Sequence, residues 1–140
     1  MNFIFKGGQI MTILVAGGAG YIGSHTCVVL LEAGYDLVVA DNLSNSRKET
    51  IDRIKKITGK DFVFYKIDLR DVEKVEELFI NHHLDGVMHF AGYKAVGESV
   101  YKPLDYYYNN LVTTMVLSMA CIKHKVNKFI FSSSATVYGN

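Results

Sequence analysis

Gly17, Gly20 and Gly23 stand at three-residue intervals directly after the apolar run Thr12-Ile13-Leu14-Val15-Ala16, and a helix-like segment follows them. Each glycine has a distinct use in anion chemistry. Gly17 permits a turn too tight for a side chain, Gly20 lets backbone N–H groups approach a pyrophosphate, and Gly23 lets the helix lie close to the strand. The helix N-terminus then offers unsatisfied N–H donors and a partial positive charge to the anion. A second apolar run is closed by Asp41, 18 residues after Gly23, where a carboxylate can accept bonds from ribose hydroxyls. Strand, phosphate-binding turn, helix, strand and ribose-binding acid together form the layout of a dinucleotide site. A glycine-rich turn that binds nothing does not explain the position of Asp41.

The elements that must hold these residues follow from hydrophobic periodicity. Strands are expected at Thr12–Ala16, Asp36–Ala40, Phe62–Ile67, Asp85–Phe90 and Lys128–Ser132. Helices are expected at Tyr21–Ala33, with Ile22, Thr26, Val29, Leu30 and Ala33 on the buried face, and at Arg47–Thr58, with Ile51, Ile54 and Ile57. A third helix begins at Asp71 and buries Val72, Val75, Leu78 and Phe79; Gly34 and Gly59 stop the first two. The stretch from Gly92 to Pro103, the only proline, reads as a loop. A long helix spans about Asp105 to Lys125, and its stripe of Tyr108, Leu111, Val112, Met115, Met119 and Ile122 reads as core rather than as a cofactor contact. Continuous apolar strands separated by helices imply an α/β fold with a parallel sheet covered on both faces. Right-handed crossovers give a Rossmann-like, doubly wound order 3-2-1-4-5. Gly17, Asp41, Asp68, Phe90 and Ser132 then all fall at the carboxyl ends of strands, where such folds bind ligands.

Composition narrows the classes. The chain has 140 residues, is 49% hydrophobic and 21% charged, and carries a net charge of +1. That balance gives no electrostatic ground for a nucleic-acid or anionic-membrane partner, and the apolar runs are far short of a membrane span. Cys27 and Cys121 share no metal or redox spacing and are expected to be buried, reduced thiols of a cytoplasmic protein. His82 and His83 are adjacent in a helix, point in different directions and make no metal site. His89 reads as a satisfied core histidine, and the charges from Arg70 to Glu77 as a solvated helix face. Residues 1–10 precede the first strand and are too short for a secretion signal. Lys6-Gly7-Gly8-Gln9-Ile10-Met11 can be encoded by AAAGGAGGACAAATTATG, which contains a bacterial ribosome-binding sequence before ATG. Residues 1–10 are therefore expected to be translated leader, or else a genuine extension, with Met11 the start of a domain over residues 11–140.

Three further stretches carry a resemblance: Asp41-Asn42-Leu43-Ser44-Asn45-Ser46, His89-Phe90-Ala91-Gly92-Tyr93-Lys94-Ala95-Val96-Gly97-Glu98-Ser99, and Phe131-Ser132-Ser133-Ser134-Ala135-Thr136-Val137-Tyr138-Gly139. With the glycine turn, they resemble the UDP-glucose 4-epimerase family of extended short-chain dehydrogenase/reductases across Met11 to Asn140. Related sugar-nucleotide dehydratases carry an acid pair where Ala135 and Thr136 stand, which favours the epimerases. Ala16 replaces the threonine usual before the first glycine, and Tyr93 a more usual aliphatic or phenylalanine; neither should remove cofactor binding.

The resemblance implies NAD as cofactor and a UDP-sugar as substrate. Tyr21 and Ile22 would lie along the pyrophosphate, Asp41 would bond the adenosine ribose, and Asn42, Leu43, Ser44, Asn45 and Ser46 would line that end. Asp68 and Leu69 would flank the adenine. Phe90, Ala91, Gly92, Tyr93 and Lys94 would line the middle of the cofactor, with Asn109 beneath it. Ser132 would touch the nicotinamide half and Ser134 would bond the sugar 4-hydroxyl. The implied reaction inverts C4 of the sugar by transient hydride transfer, with the tyrosine of a Tyr-x-x-x-Lys pair as base. No lysine of this chain has a tyrosine four positions earlier. The resemblance therefore implies an incomplete NAD-binding domain, truncated after strand five, lacking the substrate domain and belonging to an enzyme that pairs as a homodimer when complete. Two alternatives stay open: a non-catalytic NAD-binding sensor or interaction module, and a 4-epimerase of another sugar nucleotide.

Overall fold

A computed structural model describes residues 10–134. The expected leader (except Ile10) and the Ala135-Thr136 pair lie outside the described residues. Five strands, β1 (Thr12–Ala16), β2 (Asp36–Asp41), β3 (Val63–Lys66), β4 (Gly86–His89) and β5 (Phe129–Phe131), form one sheet in the order β3-β2-β1-β4-β5. All four pairings are parallel, and the register sets Ala16 beside both Ala40 and His89. The expected order 3-2-1-4-5 is the observed one.

The strands read as unbroken apolar runs because both faces are covered. Val15 and Val39 pack with Cys27 and Leu31 of helix α1 (Tyr21–Glu32) and with Ile51 and Ile54 of α2 (Glu49–Thr58). Leu14, Val38 and Val87 point the other way. They meet Val75, Leu78 and Phe79 of α3 (Val72–Asn81) and Val116, Leu117, Ala120 and Cys121 of the long helix. Burying each such aliphatic side chain stabilises the fold by about 1.5–3 kcal/mol. Local signals set the helix ends: the Asp71 carboxylate accepts the Lys74 N–H at 3.2 Å to cap α3, and Gly59 ends α2 in the left-handed region at φ 65°.

Several expectations are corrected. The stretch read as a loop contains a short helix, α4 (Val96–Tyr101), followed by α5 (Pro103–Lys123), which starts at the proline rather than at Asp105. Glu98 staples the two together by accepting from Lys102 Nζ at 3.0 Å and Tyr106 Oη at 2.8 Å. α4 buries no residue, so no apolar period announces it. On α1 the buried face is Gly23, Cys27 and Leu31, while Ile22 and Val29 are exposed. Ile57 and Val72 are also exposed. Of the stripe expected as core on α5, Val112 packs partly buried against the core, but Tyr108, Leu111, Met115, Met119 and Ile122 face outward, 57–79% exposed. The buried face carries Asn109, Thr113, Val116, Leu117, Ala120 and Cys121. Thr113, Ala120 and Cys121 are small, which lets the helix backbone approach the sheet. The charged stretch of α3 is not simply solvated: Arg70 pairs with Asp68, and Glu76 with Lys123 and His124.

Candidate functional site

The connection after β1 leads to α1 on one face of the sheet and the connection after β4 leads to α5 on the other, which opens a crevice at the carboxyl ends of these neighbouring strands. A cleft occupies that position. Its walls include Gly17, Gly20, Asp41, Asn42, Ser44, Asn45, Ser46, Asp68, Leu69, Phe90, Ala91, Gly92, Tyr93 and Asn109, residues singled out in the sequence.

The glycine turn is shaped by backbone contacts. Gly17 has φ 80°, and its N–H donates to Ala40 O at 2.7 Å. A Cβ on Gly17 would lie 2.5 Å from Ala91 N, so the turn and the end of β4 touch backbone to backbone. A Cβ on Gly23 would overlap the Gly17 carbonyl oxygen, whereas one on Gly20 meets only that oxygen at 3.4 Å. Gly20 is the N-cap of α1 and supplies no side-chain cap, and the first turn of α1 carries no acidic residue. The helix end thus keeps its donors and its dipole for an anion. Tyr21, Ile22 and Gly23 form that first turn; Tyr21 and Ile22 are exposed.

Asp41 is 8% exposed and organises the next wall. Its Oδ2 accepts the Ala19 N–H at 3.0 Å, and its Oδ1 accepts from Leu43 N and Ser46 Oγ, both at 2.9 Å. Leu43 adopts φ 59°, a strained value for a branched side chain. That left-handed step folds residues 44–46 back over Asp41.

Past β4, Asn110 clamps the chain. Its Oδ1 accepts from Tyr93 N at 2.8 Å and its Nδ2 donates to Tyr93 O at 3.0 Å. Asn109, 7% exposed, donates to the same Asn110 oxygen at 3.0 Å. Lys94 Nζ reaches Ser132 O at 3.2 Å and Ser132 Oγ at 3.4 Å. Lys94, Ser132 and Ser134 line a hollow adjoining the main cleft through Ala91, Gly92 and Tyr93. Ser134 thus lies beside the cleft rather than in it. Asn110, Thr113, Ile67 and Arg70 were missed in the sequence. Only Thr113, one helical turn after Asn109, had a signal that could have revealed it.

His89 is buried, with its Nε2 3.0 Å from Thr114 Oγ1. The Thr114 hydroxyl donates to Asn110 O at 2.8 Å, so it accepts from His89, which fixes the Nε2–H tautomer. Nδ1 has no partner, which corrects the expectation of a fully satisfied ring. Burial, helped by the nearby Lys94 charge, pushes its pKa down to about 4. Cys27 and Cys121 are free and buried, and burial pushes their thiols up to about 12 and about 11. Such thiols stay protonated and unreactive. His82 bonds Tyr65 Oη at 2.8 Å, and no group of three or more potential ligands among the described residues could hold a metal ion. No helix among them is long and apolar enough to cross a membrane.

The model of the NAD dependent epimerase/dehydratase family matches residues 13–140. The UDP-glucose 4-epimerase of Bacillus subtilis (strain 168) is 60% identical over 129 residues, covering 92% of this chain and 38% of the relative. UDP-glucose 4-epimerase uge1 of Schizosaccharomyces pombe is 57% identical, covering 92% of this chain and 36% of the relative. A crystal structure of the Bifidobacterium longum UDP-glucose 4-epimerase in complex with NAD+ and UDP superposes with a TM-score of 0.90 at 52% identity, covering 92% of this chain and 38% of that one. The chain therefore spans little more than a third of the length of these relatives.

Proposed function

The chain belongs to the NAD dependent epimerase/dehydratase family, and from that premise we propose that residues 11–140 form the NAD-holding part of a UDP-glucose 4-epimerase. The observation that carries this reading is the single cleft in which an uncapped helix N-terminus, a glycine turn closed to any Cβ and the Asp41 carboxylate meet. A dinucleotide fits that donor set. Its pyrophosphate would lie on the Gly17–Gly23 turn with Tyr21 and Ile22. Its adenosine ribose would bond Asp41, beside Asn42, Leu43, Ser44, Asn45 and Ser46. Phe90, Ala91, Gly92 and Tyr93 would line its middle, with Asn109 beneath, and Ser132 would touch the nicotinamide half.

When bound, NAD supplies a reversible hydride acceptor for C4 of the sugar. The chain's own residues orient and shield. Lys94, held on Ser132, puts a positive charge beside the hollow. Ser134 would bond the sugar 4-hydroxyl but cannot take its proton near neutral pH without an adjacent base. A Tyr-x-x-x-Lys pair, absent from these 140 residues, would supply that base in the complete enzyme. The substrate would be a UDP-sugar, in keeping with the UDP bound in the Bifidobacterium longum enzyme. The exposed apolar stripe of α5 supports a homodimer of the complete enzyme, and two free buried thiols support a cytoplasmic setting.

The test is conversion of UDP-galactose to UDP-glucose by the complete protein carrying these residues, with and without Ser134→Ala. Turnover should fall in the variant much more than NAD affinity does. Equal turnover by both would remove Ser134 from the chemistry. NAD binding without turnover in the complete, unaltered protein would favour a sensor module instead. The 140-residue chain by itself should show no turnover.

A further inference from the structure

Thr113 and Thr114 are neighbours on α5, and their hydroxyls have opposite fates. The Thr114 hydroxyl is fully engaged: it donates to Asn110 O at 2.8 Å and accepts from His89 Nε2 at 3.0 Å. Ser118, one turn further, likewise donates back to Thr114 O at 2.7 Å. A bond to the carbonyl one turn earlier is the usual way for a helix to satisfy such a group. Thr113 is 3% exposed, yet among the described residues its hydroxyl has no hydrogen-bond partner. Burying a hydroxyl without a bond is unfavourable unless something else supplies one.

Asn109, one turn before Thr113 on the same buried face, is left in a similar state. The Tyr93 N–H can only donate, so the Asn110 atom it meets is Oδ1, and that oxygen in turn takes the Asn109 Nδ2 donor. The Asn109 amide is thereby oriented, and its Oδ1 is free of any partner among the described residues. The one side-chain nitrogen or oxygen among them that is both sealed from solvent and unpartnered is His89 Nδ1. The free oxygens of Asn109 and Thr113 are therefore not sealed, and both residues line the main cleft. That cleft also holds Asp41, Asp68 and Leu69, the adenosine end of the proposed site, whereas Lys94, Ser132 and Ser134 line the adjoining hollow.

Resting on the NAD reading above, we infer that Thr113 is a further cofactor-binding residue: its unspent hydroxyl, beside the free oxygen of Asn109, gives the adenosine half of the dinucleotide a hydrogen bond from the floor of the cleft. The hydroxyl contributes nothing to the internal bonds of the chain, so its removal costs the empty fold nothing and the bound state one bond. Binding and stability should therefore part company at this position. Valine keeps the branched shape and removes the hydroxyl. Serine keeps the hydroxyl and removes the methyl group.

The experiment titrates the 140-residue chain, Thr113→Val and Thr113→Ser with NAD and with ADP-ribose, which lacks the nicotinamide ring, and follows melting without nucleotide in parallel. Thr113→Val should weaken both ligands by the same factor, about threefold to tenfold, the span of one uncharged hydrogen bond. Thr113→Ser should bind both within about twofold of the unaltered chain. Without nucleotide, Thr113→Val should melt no lower than the unaltered chain. Unchanged NAD affinity in Thr113→Val overturns the inference, and so does a loss for NAD that ADP-ribose does not share, which would move the contact to the nicotinamide. An equal loss in Thr113→Ser assigns the effect to the methyl group and overturns it too. Melting of Thr113→Val well below the unaltered chain, or its failure to fold, would reveal an internal partner for the hydroxyl, with the same consequence. NAD binding by the unaltered chain with any of these outcomes leaves the functional reading standing. No NAD binding by the unaltered chain overturns that reading and this inference with it.

Discussion

Asp41 Oδ2 accepts the backbone N–H of Ala19 at 3.0 Å, although the two residues are 22 apart in sequence. The acid proposed for the ribose thus also holds the glycine turn proposed for the pyrophosphate. Changes at either place should be felt at the other.

The three glycines should separate under substitution by alanine. Gly17→Ala imposes a side chain at φ 80° and drives its Cβ into Ala91 backbone atoms. A loss of about 2 kcal/mol or more is expected in denaturant unfolding. Gly23→Ala should also destabilise, because its Cβ meets the Gly17 carbonyl. Gly20→Ala should cost less than about 1 kcal/mol while weakening NAD at least about tenfold, since its one contact is tolerable and its place is at the anion. Equal stability losses at all three positions would contradict this division.

NAD should bind more tightly than NADP, by at least about tenfold. A 2′-phosphate would sit against the Asp41 carboxylate, a like charge in a buried site. Calorimetric titration of both nucleotides checks this. Tighter binding of NADP would refute the role given to Asp41.

His89 should make the fold acid-sensitive. Its folded pKa, about 4, lies below the ordinary 6.5, so the unfolded chain binds the proton more readily. The stabilisation is complete above pH 6.5 and is lost as pH falls towards 4, by up to about 3 kcal/mol. His89→Gln can still donate to Thr114 but does not titrate, and it should flatten the unfolding free energy between those pH values. An unchanged slope would place the acid sensitivity elsewhere.

The outward face of α5 should drive association. Tyr108, Leu111, Met115 and Met119 repeat along one side of the helix and are at least 57% exposed. Sedimentation of the chain should show self-association that Leu111→Lys with Met115→Glu reduces, at unchanged helix content. A strictly monomeric unaltered chain would count against a dimer through α5.

Much of this molecule was legible from local chemistry. Alternating apolar strands and helices, Gly17, Gly59 and the acid at Asp41 specified the parallel sheet, its order and the cleft. These signals survive without tertiary context because side-chain period and positive φ are properties of a few neighbouring residues. What lay beyond reach depended on partners distant in sequence. α5 carries apolar residues on two faces, and the 3.6-residue period suits both. Only contact with the sheet decided that Thr113, Ala120 and Cys121, small enough for close approach, go inside while the bulkier stripe stays out. Asn110 carried no motif. Its role exists because the fold brings Tyr93 to it, with hydrogen-bond geometry that no spacing along the chain encodes.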